Sequence, residues 1–167
     1  MTNNTTTPGI HPFLLDVPQT DLDDLRDRLA RTRLPQPAPG DDWSTGTPNA
    51  YLRDAVEQWR TAFDWRAQEA RINAVPHFTT EIDGQMIHFI HVRSEHAGAT
   101  PLLLAHNYPG SSIDYLEMID ELCDFDLVIP DAPGFGFSNP VVDTGWTTAR
   151  VAAAYDQLMR RLGYTAY

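Results

Sequence analysis

Two short strand-like runs, Pro101–Ala105 and Asp126–Pro130, constrain what this chain can fold into more than any other feature. Each is too short for a helix, and each leads through a loop into residues with helical spacing. Pro101–Ala105 is an unbroken apolar stretch, the pattern of a parallel strand buried on both faces. Helix-spaced residues Ile113, Leu116 and Ile119 follow it, with Ser111 or Ser112 as cap. Asp126–Pro130 leads into the glycine-rich loop Asp131–Ser138. A last helix then runs from Thr147, with Val151, Tyr155, Leu158 and Leu162 on one face and Gly163 as its stop. Strands alternating with helices predict an α/β fold with a parallel sheet and right-handed crossovers.

Upstream of Pro76 the pattern is different. Thr20 is placed to cap a helix with Leu22, Leu25 and Leu29 on one face, ended by Leu34-Pro35. Pro35, Pro37, Pro39 and Gly40 mark an irregular crossing. Thr47-Pro48 opens a second helix with the stripe Leu52, Val56, Trp59 and Phe63. Asp64 caps a third helix through Ile72. Trp43, Trp59, Trp65 and Phe63 could form a ligand cage, but packing is the preferred reading. After Pro76 the period becomes two. Phe78–Ile82, Asp83-Gly84 and Met86–Arg93 predict a β-hairpin with a type I′-like turn. His88 and His91 are three apart on its second strand and so face opposite ways. They cannot share a metal, and both read as structural.

Composition narrows the function classes. The formal charge is −11, and all 12 basic residues are arginine. That argues against nucleic acid or an anionic membrane as partner. No apolar run approaches a membrane span, and Met1–Gly9 is polar, unlike a signal peptide. Residues 1–8 are expected to be a disordered tail. The single cysteine, Cys123, excludes an internal disulfide and reads as a small core residue. A cytoplasmic location is the expectation. No cofactor and no metal are expected.

Ligands of open α/β sheets bind beyond the carboxyl ends of the strands. Two loops sit there. His106-Asn107-Tyr108-Pro109-Gly110 runs from a strand into a helix, where backbone N–H groups can face a developing oxyanion. Pro109 has no N–H, so Tyr108 and Gly110 are the candidate donors. A plain tight turn is the alternative. The second loop, Pro133-Gly134-Phe135-Gly136-Phe137-Ser138, resembles a phosphate loop but lacks the Gly-Lys-Ser/Thr ending, and the chain has no lysine. It also lacks the third glycine of a dinucleotide site. Asp131 is a possible nucleophile or general base. Hydrogen bonding within its loop is the preferred reading, because no histidine lies nearby in sequence.

Several motifs, in order, resemble the microsomal-type epoxide hydrolases and their bacterial relatives. They are Arg31-Thr-Arg-Leu-Pro35, Phe63-Asp-Trp-Arg66, Asn73-Ala-Val-Pro-His-Phe78, Ile82-Asp-Gly84 and Ile87-His-Phe-Ile-His-Val92. The match continues through His106-x-x-Pro-Gly-Ser111, Pro133-Gly-Phe-Gly-Phe-Ser138 and Leu162-Gly-Tyr164. The resemblance implies a helical N-terminal meander over 9–100, closing with the hairpin, and the first half of an α/β-hydrolase core over 101–167. It implies a small apolar epoxide as substrate. An Asp carboxylate opens the epoxide to an ester, a His–acid pair activates water to release the diol, and cap tyrosines protonate the epoxide oxygen. The family's His-Gly-x-Pro matches His106-Asn107-Tyr108-Pro109, with Asn where Gly is usual and Tyr where Trp is common. Tyr108 thereby inherits the backbone oxyanion role, and His106 and Pro109 set the loop geometry. A cis Tyr108–Pro109 bond is implied.

No triad residue carries over, because the family nucleophile lies on a turn after the next strand, in a Gly-Gly-Asp-Trp-Gly-like motif. The expectation is a chain truncated before that nucleophile and inactive by itself. Its strand at Pro101–Ala105 would then be an edge, completed by a complementary C-terminal half or by a homodimer. The rival expectation is a non-catalytic binding or regulatory module. A haloalkane dehalogenase would fit Asp131 and Gly-Phe-Gly-x-Ser but not the N-terminal motifs.

Overall fold

The computed structural model describes residues 9–40 and 42–167. The tail expected over residues 1–8 lies outside them. The chain forms two compact units. One is Leu15–Ala70, and the other joins the described residues up to Leu14 with Arg71–Tyr167.

The sheet belongs to the second unit. Its strands are β1 (Ile10–Phe13), β2 (His77–Ile82), β3 (Gln85–Val92), β4 (Thr100–Leu103) and β5 (Phe125–Pro130), in the order β1-β2-β3-β5-β4. β2 and β3 form the expected hairpin, with Ile82 opposite Gln85. Asp83 (φ 52°) and Gly84 (φ 76°) turn the chain with two left-handed residues, as a type I′ turn requires. The sheet is mixed rather than wholly parallel. β3 runs antiparallel to β5, and only β4 is parallel to it. A hairpin delivers β3 in the reverse sense, whereas the crossover between β4 and β5 restores it.

β1 was not expected. It is a four-residue edge strand paired antiparallel with β2, and Pro12 fits there because an edge strand can spare an N–H. Ile87, Phe89 and Val128 face one side of the sheet and pack with Ala154, Leu158 and Met159 of a helix over Thr148–Arg161. Ile90, Leu127 and Ile129 face the other side and pack with Ile119. The alternation of residues on β3 and β5 therefore sorts the core into two faces.

The segment after β4 is not an α-helix. It forms 3₁₀ turns over Ser112–Met118 and Asp120–Leu122. Ile113, Leu116, Ile119 and Leu122 repeat every three residues, which is the 3₁₀ period rather than the α period. Cys123 is exposed, because it sits in the turn between those residues and β5. The final helix begins where the sequence placed it, and Thr147 caps it, accepting from the Arg150 N–H at 3.3 Å.

In the first unit, α1 (Gln19–Ala30) starts after Pro18, so Thr20 lies within its first turn and caps nothing. It stops four residues before Leu34, where the Thr32 N–H and hydroxyl turn back onto the Leu29 and Arg28 carbonyls. α2 (Asn49–Thr61) starts after Pro48, and α3 (Trp65–Ile72) is capped by Asp64, which accepts from the Ala67 N–H at 3.1 Å. Glu69 is buried and accepts from the Val17 N–H, the Arg66 guanidinium and the Trp65 indole. The helix over Thr148–Arg161 is α4. Among the described residues no helix is long and apolar enough to cross a membrane.

His91 and Tyr164 tie the end of α4 to the sheet. The Tyr164 hydroxyl donates to Asp126 at 3.0 Å, so it accepts from His91 Nε2–H at 3.0 Å. Burial, reinforced by the Arg93 charge, pulls the His91 imidazole from its ordinary 6.5 to about 4. The folded state then binds fewer protons than the unfolded chain between those values. Stability is full above pH 6.5 and falls as the pH drops toward 4. His91→Gln should flatten that fall, by up to the roughly 1.4 kcal/mol per pH unit that one proton can contribute. Urea unfolding of both proteins across this pH range provides the check, and parallel curves would count against it.

Candidate active-site loops

Both candidate loops stand at the carboxyl ends of the parallel pair β4 and β5. Asp131 follows directly on β5 and is completely buried. Its carboxylate accepts the Ser112 N–H at 2.6 Å, the Phe137 N–H at 2.8 Å and the His88 Nδ1 hydrogen at 2.8 Å. Burial alone would raise this carboxyl. The bonds from His88, Phe137 and Ser112 outweigh burial and hold it below its ordinary range. The histidine missing from the local sequence is thus supplied by β3. It escaped the sequence reading because 43 residues separate it from Asp131. Encased in protein donors, Asp131 has no open path to a substrate carbon, which excludes it as nucleophile or base.

The glycine loop closes on itself. Gly134 N–H donates to the Ser138 carbonyl, Phe135 N–H to Ala132, Ser138 N–H to Phe135, and Phe137 N–H to Asp131. These donors are spent, so the loop offers no nest for a phosphate. Ser138 adds a clasp, accepting from the His88 N–H and donating to the Asp131 carbonyl.

The His106–Ser111 loop is pinned at both ends. His106 Nε2 accepts the Ala132 N–H at 3.0 Å, and its Nδ1 hydrogen points to the Asn107 carbonyl at 3.0 Å. The Ser111 N–H donates to Asp114, and the Tyr115 hydroxyl reaches the Ala105 carbonyl. Gly110 leaves the set of candidate donors, because its N–H goes to the Asn107 carbonyl at 2.7 Å. Among the described residues nothing accepts the Tyr108 N–H. The Tyr108 side chain is 84% exposed, and its ring meets the edge of Phe135. The Tyr108–Pro109 bond is cis, as is Asn139–Pro140. Asp83 is the one described residue other than glycine with a positive φ. Asn107 therefore occupies backbone space open to any residue, and glycine is not required there.

Of the three predicted site residues, His106 and Tyr108 both meet Phe135 of the neighbouring loop, at ring separations of 5.5 and 5.9 Å. Pro109 lies between them and the helical turn. His88 and His91 point to opposite sides, toward Asp131 and Tyr164 respectively. Among the described residues no group of three or more His, Cys, Asp or Glu side chains is arranged to hold a metal.

Gly136 shows how tightly the loop wraps Asp131. Its φ is +47°, and a Cβ there would collide with the Asp131 carboxylate. At Gly84, also left-handed, a Cβ would meet open space. Gly84→Ala should therefore cost only the backbone term, about 1–2 kcal/mol. Gly136→Ala should cost about 1–3 kcal/mol more through the clash. Equal losses in chemical denaturation would show that the wrap is loose.

Comparison with known proteins gives the same picture. The family model for the epoxide hydrolase N terminus matches residues 10–115. A putative epoxide hydrolase of Stigmatella aurantiaca strain DW4/3-1 is 47% identical over 168 residues, covering 94% of this chain and 38% of that protein. The Aspergillus niger epoxide hydrolase structure superimposes with a TM-score of 0.85 at 33% identity, covering 94% of this chain and 44% of that one. The juvenile hormone epoxide hydrolase of the silkworm Bombyx mori gives 0.86 at 31%, covering 95% and 45%. The chain spans less than half the length of these relatives. With a matching model over residues 10–115 and the sheet of the α/β-hydrolase fold, the chain belongs to the epoxide hydrolase N-terminal family.

Proposed function

We propose that this chain is the N-terminal portion of an epoxide hydrolase that converts a small apolar epoxide to a diol through an aspartyl ester. Its own contribution is one backbone donor and part of the pocket wall. The observation that carries this reading is the Tyr108 N–H, which, like those of His106 and Asn107, has no acceptor among the described residues, on a loop tied down at His106, Gly110 and Ser111. A preorganised N–H is the group that stabilises the oxyanion formed when water attacks an ester. His106 and Pro109 shape the loop and touch no reacting atom. The nucleophile, the His–acid pair and the proton-donating tyrosines would come from the rest of the enzyme.

The chain alone is then inactive, since a donor without an activated nucleophile has no intermediate to stabilise. Purified chain incubated with styrene oxide and other aryl epoxides should form no diol. Turnover that survives purification and disappears in Asp131→Asn would assign the chemistry to the wrong place.

The sheet supports a further element of this reading. Among the described residues β4 pairs with β5 on one side only, and its Leu102 and Leu103, with Leu104 just beyond it, are half-buried. No charged residue guards this edge within the strand. A complementary segment or a second copy would complete it. Light scattering after size exclusion, at tens of micromolar, should find dimers or larger species. A stable, cooperatively unfolding monomer would favour a self-sufficient binding module instead.

A further inference from the structure

A line of polar groups runs through the interior beneath the glycine loop. The Ile72 carbonyl lies 2.8 Å from His77 Nε2, His77 Nδ1 lies 2.9 Å from His88 Nε2, and His88 Nδ1 lies 2.8 Å from Asp131 Oδ2. His77 is 4% exposed, and His88 and Asp131 are 0% exposed. The two imidazoles are within 26° of parallel. Phe13 and Phe137 meet the His88 ring edge-on, at 4.9 and 5.0 Å between centroids, and keep water from it.

Donor and acceptor chemistry fixes the number of hydrogens in this line. A carbonyl only accepts, so His77 Nε2 carries a hydrogen. A second hydrogen lies between the rings, and a third lies between His88 and Asp131. With three hydrogens, the trio His77, His88 and Asp131 is neutral overall, and three arrangements remain once a bare His88 imidazolate beside a carboxylic acid is set aside, since that base would take the acid's proton. The positive charge sits on His77, or it sits on His88, or there is no charge and Asp131 is an acid.

Two observations choose between them. A charge on His77 would stand a full ring away from its counter-ion, and burial already pulls that imidazole down. An acidic Asp131 would have to keep its proton while the Ser112 and Phe137 N–H groups also point at its oxygens. Such donors favour the carboxylate. We infer that His88 is a buried imidazolium paired with the Asp131 carboxylate, kept in that state by a neutral His77, and that the pair positions the loop entering at Ser112. The inference holds whatever reaction the complete protein performs. It makes His77, His88 and Asp131 positioning residues, since Asp131 reaches the loop only through the Ser112 N–H.

Magic-angle-spinning NMR of chain labelled with ¹⁵N-histidine reads each ring nitrogen as protonated or bare, in a monomer or an assembly alike. At neutral pH both His88 nitrogens should be protonated, and His77 should carry hydrogen on Nε2 alone. A singly protonated His88, whether His77 is doubly or singly protonated, overturns the assignment. Asp131→Asn keeps the shape but removes the charge and replaces one acceptor oxygen with a donor. In it, His88 should lose its second ring hydrogen, and Ser112 amide exchange should speed up about tenfold or more, as expected on losing a charged acceptor. A doubly protonated His88 in that variant would show that Asp131 is not its counter-ion. Unchanged Ser112 exchange would remove the positioning role. Should the variant fail to fold, the spectrum of the unsubstituted chain still decides the charge.

Discussion

Taking a carboxylate out of water costs several kcal/mol unless donors replace the lost hydration, and Asp131 is wholly buried. Its two oxygens take three donors from three places: the turn after the first loop, the glycine loop and β3. Each of those segments is fixed by the need to keep its donor in place. A charged acceptor between the loops ties them together alongside the ring contacts of Phe135 and Phe137. The Ser138 clasp and the His106–Ala132 bond then close the remaining freedom.

The same accounting separates the two loops. In the glycine loop the Phe137 N–H supports Asp131 and the Gly134, Phe135 and Ser138 N–H groups bond within the loop, so glycine at 136 serves close approach to the carboxylate. In the His106–Ser111 loop the N–H groups of His106, Asn107 and Tyr108 meet no acceptor among the described residues. The two loops thus differ in how far their backbone donors are engaged within the fold. The distinction lies in where the hydrogen bonds go.

Part of this was legible in the residues. Alternation and the Asp-Gly turn gave the hairpin, and helical spacing gave α4. The turn also held more than was taken from it. With Ile82 opposite Gln85, His77 falls opposite Ile90, and so diagonal to His88 on the same face. The His77–His88 contact was therefore readable from the turn alone. The contact with Asp131 was not, because it depends on β3 pairing with β5, and no local signal fixes that choice. β1 was hidden for the same reason: its partner β2 lies more than sixty residues away, and its four residues include a proline. The three-residue repeat from Ile113 to Leu122 was visible, but its meaning as a 3₁₀ period was missed. The resemblance carried the loop assignments that spacing left open.

The helical unit shows where amphipathic patterning stops being informative. The stripe on α2 predicted packing, yet no α2 residue is fully buried. Trp43, Trp59 and Phe63 are 66, 49 and 48% exposed, and the Trp43 ring meets the edge of Tyr51. A unit spanning Leu15–Ala70 has too much surface for its volume to enclose three helices' apolar faces. Its order rests as much on polar ties. Glu69 binds the Val17 N–H, Arg66 and Trp65, and Arg66 also reaches the Val17 carbonyl. Those bonds join the segment ahead of α1 directly to α3. A hydrophobic stripe states which face of a helix seeks cover. The extent of that cover depends on how much chain is present to provide it.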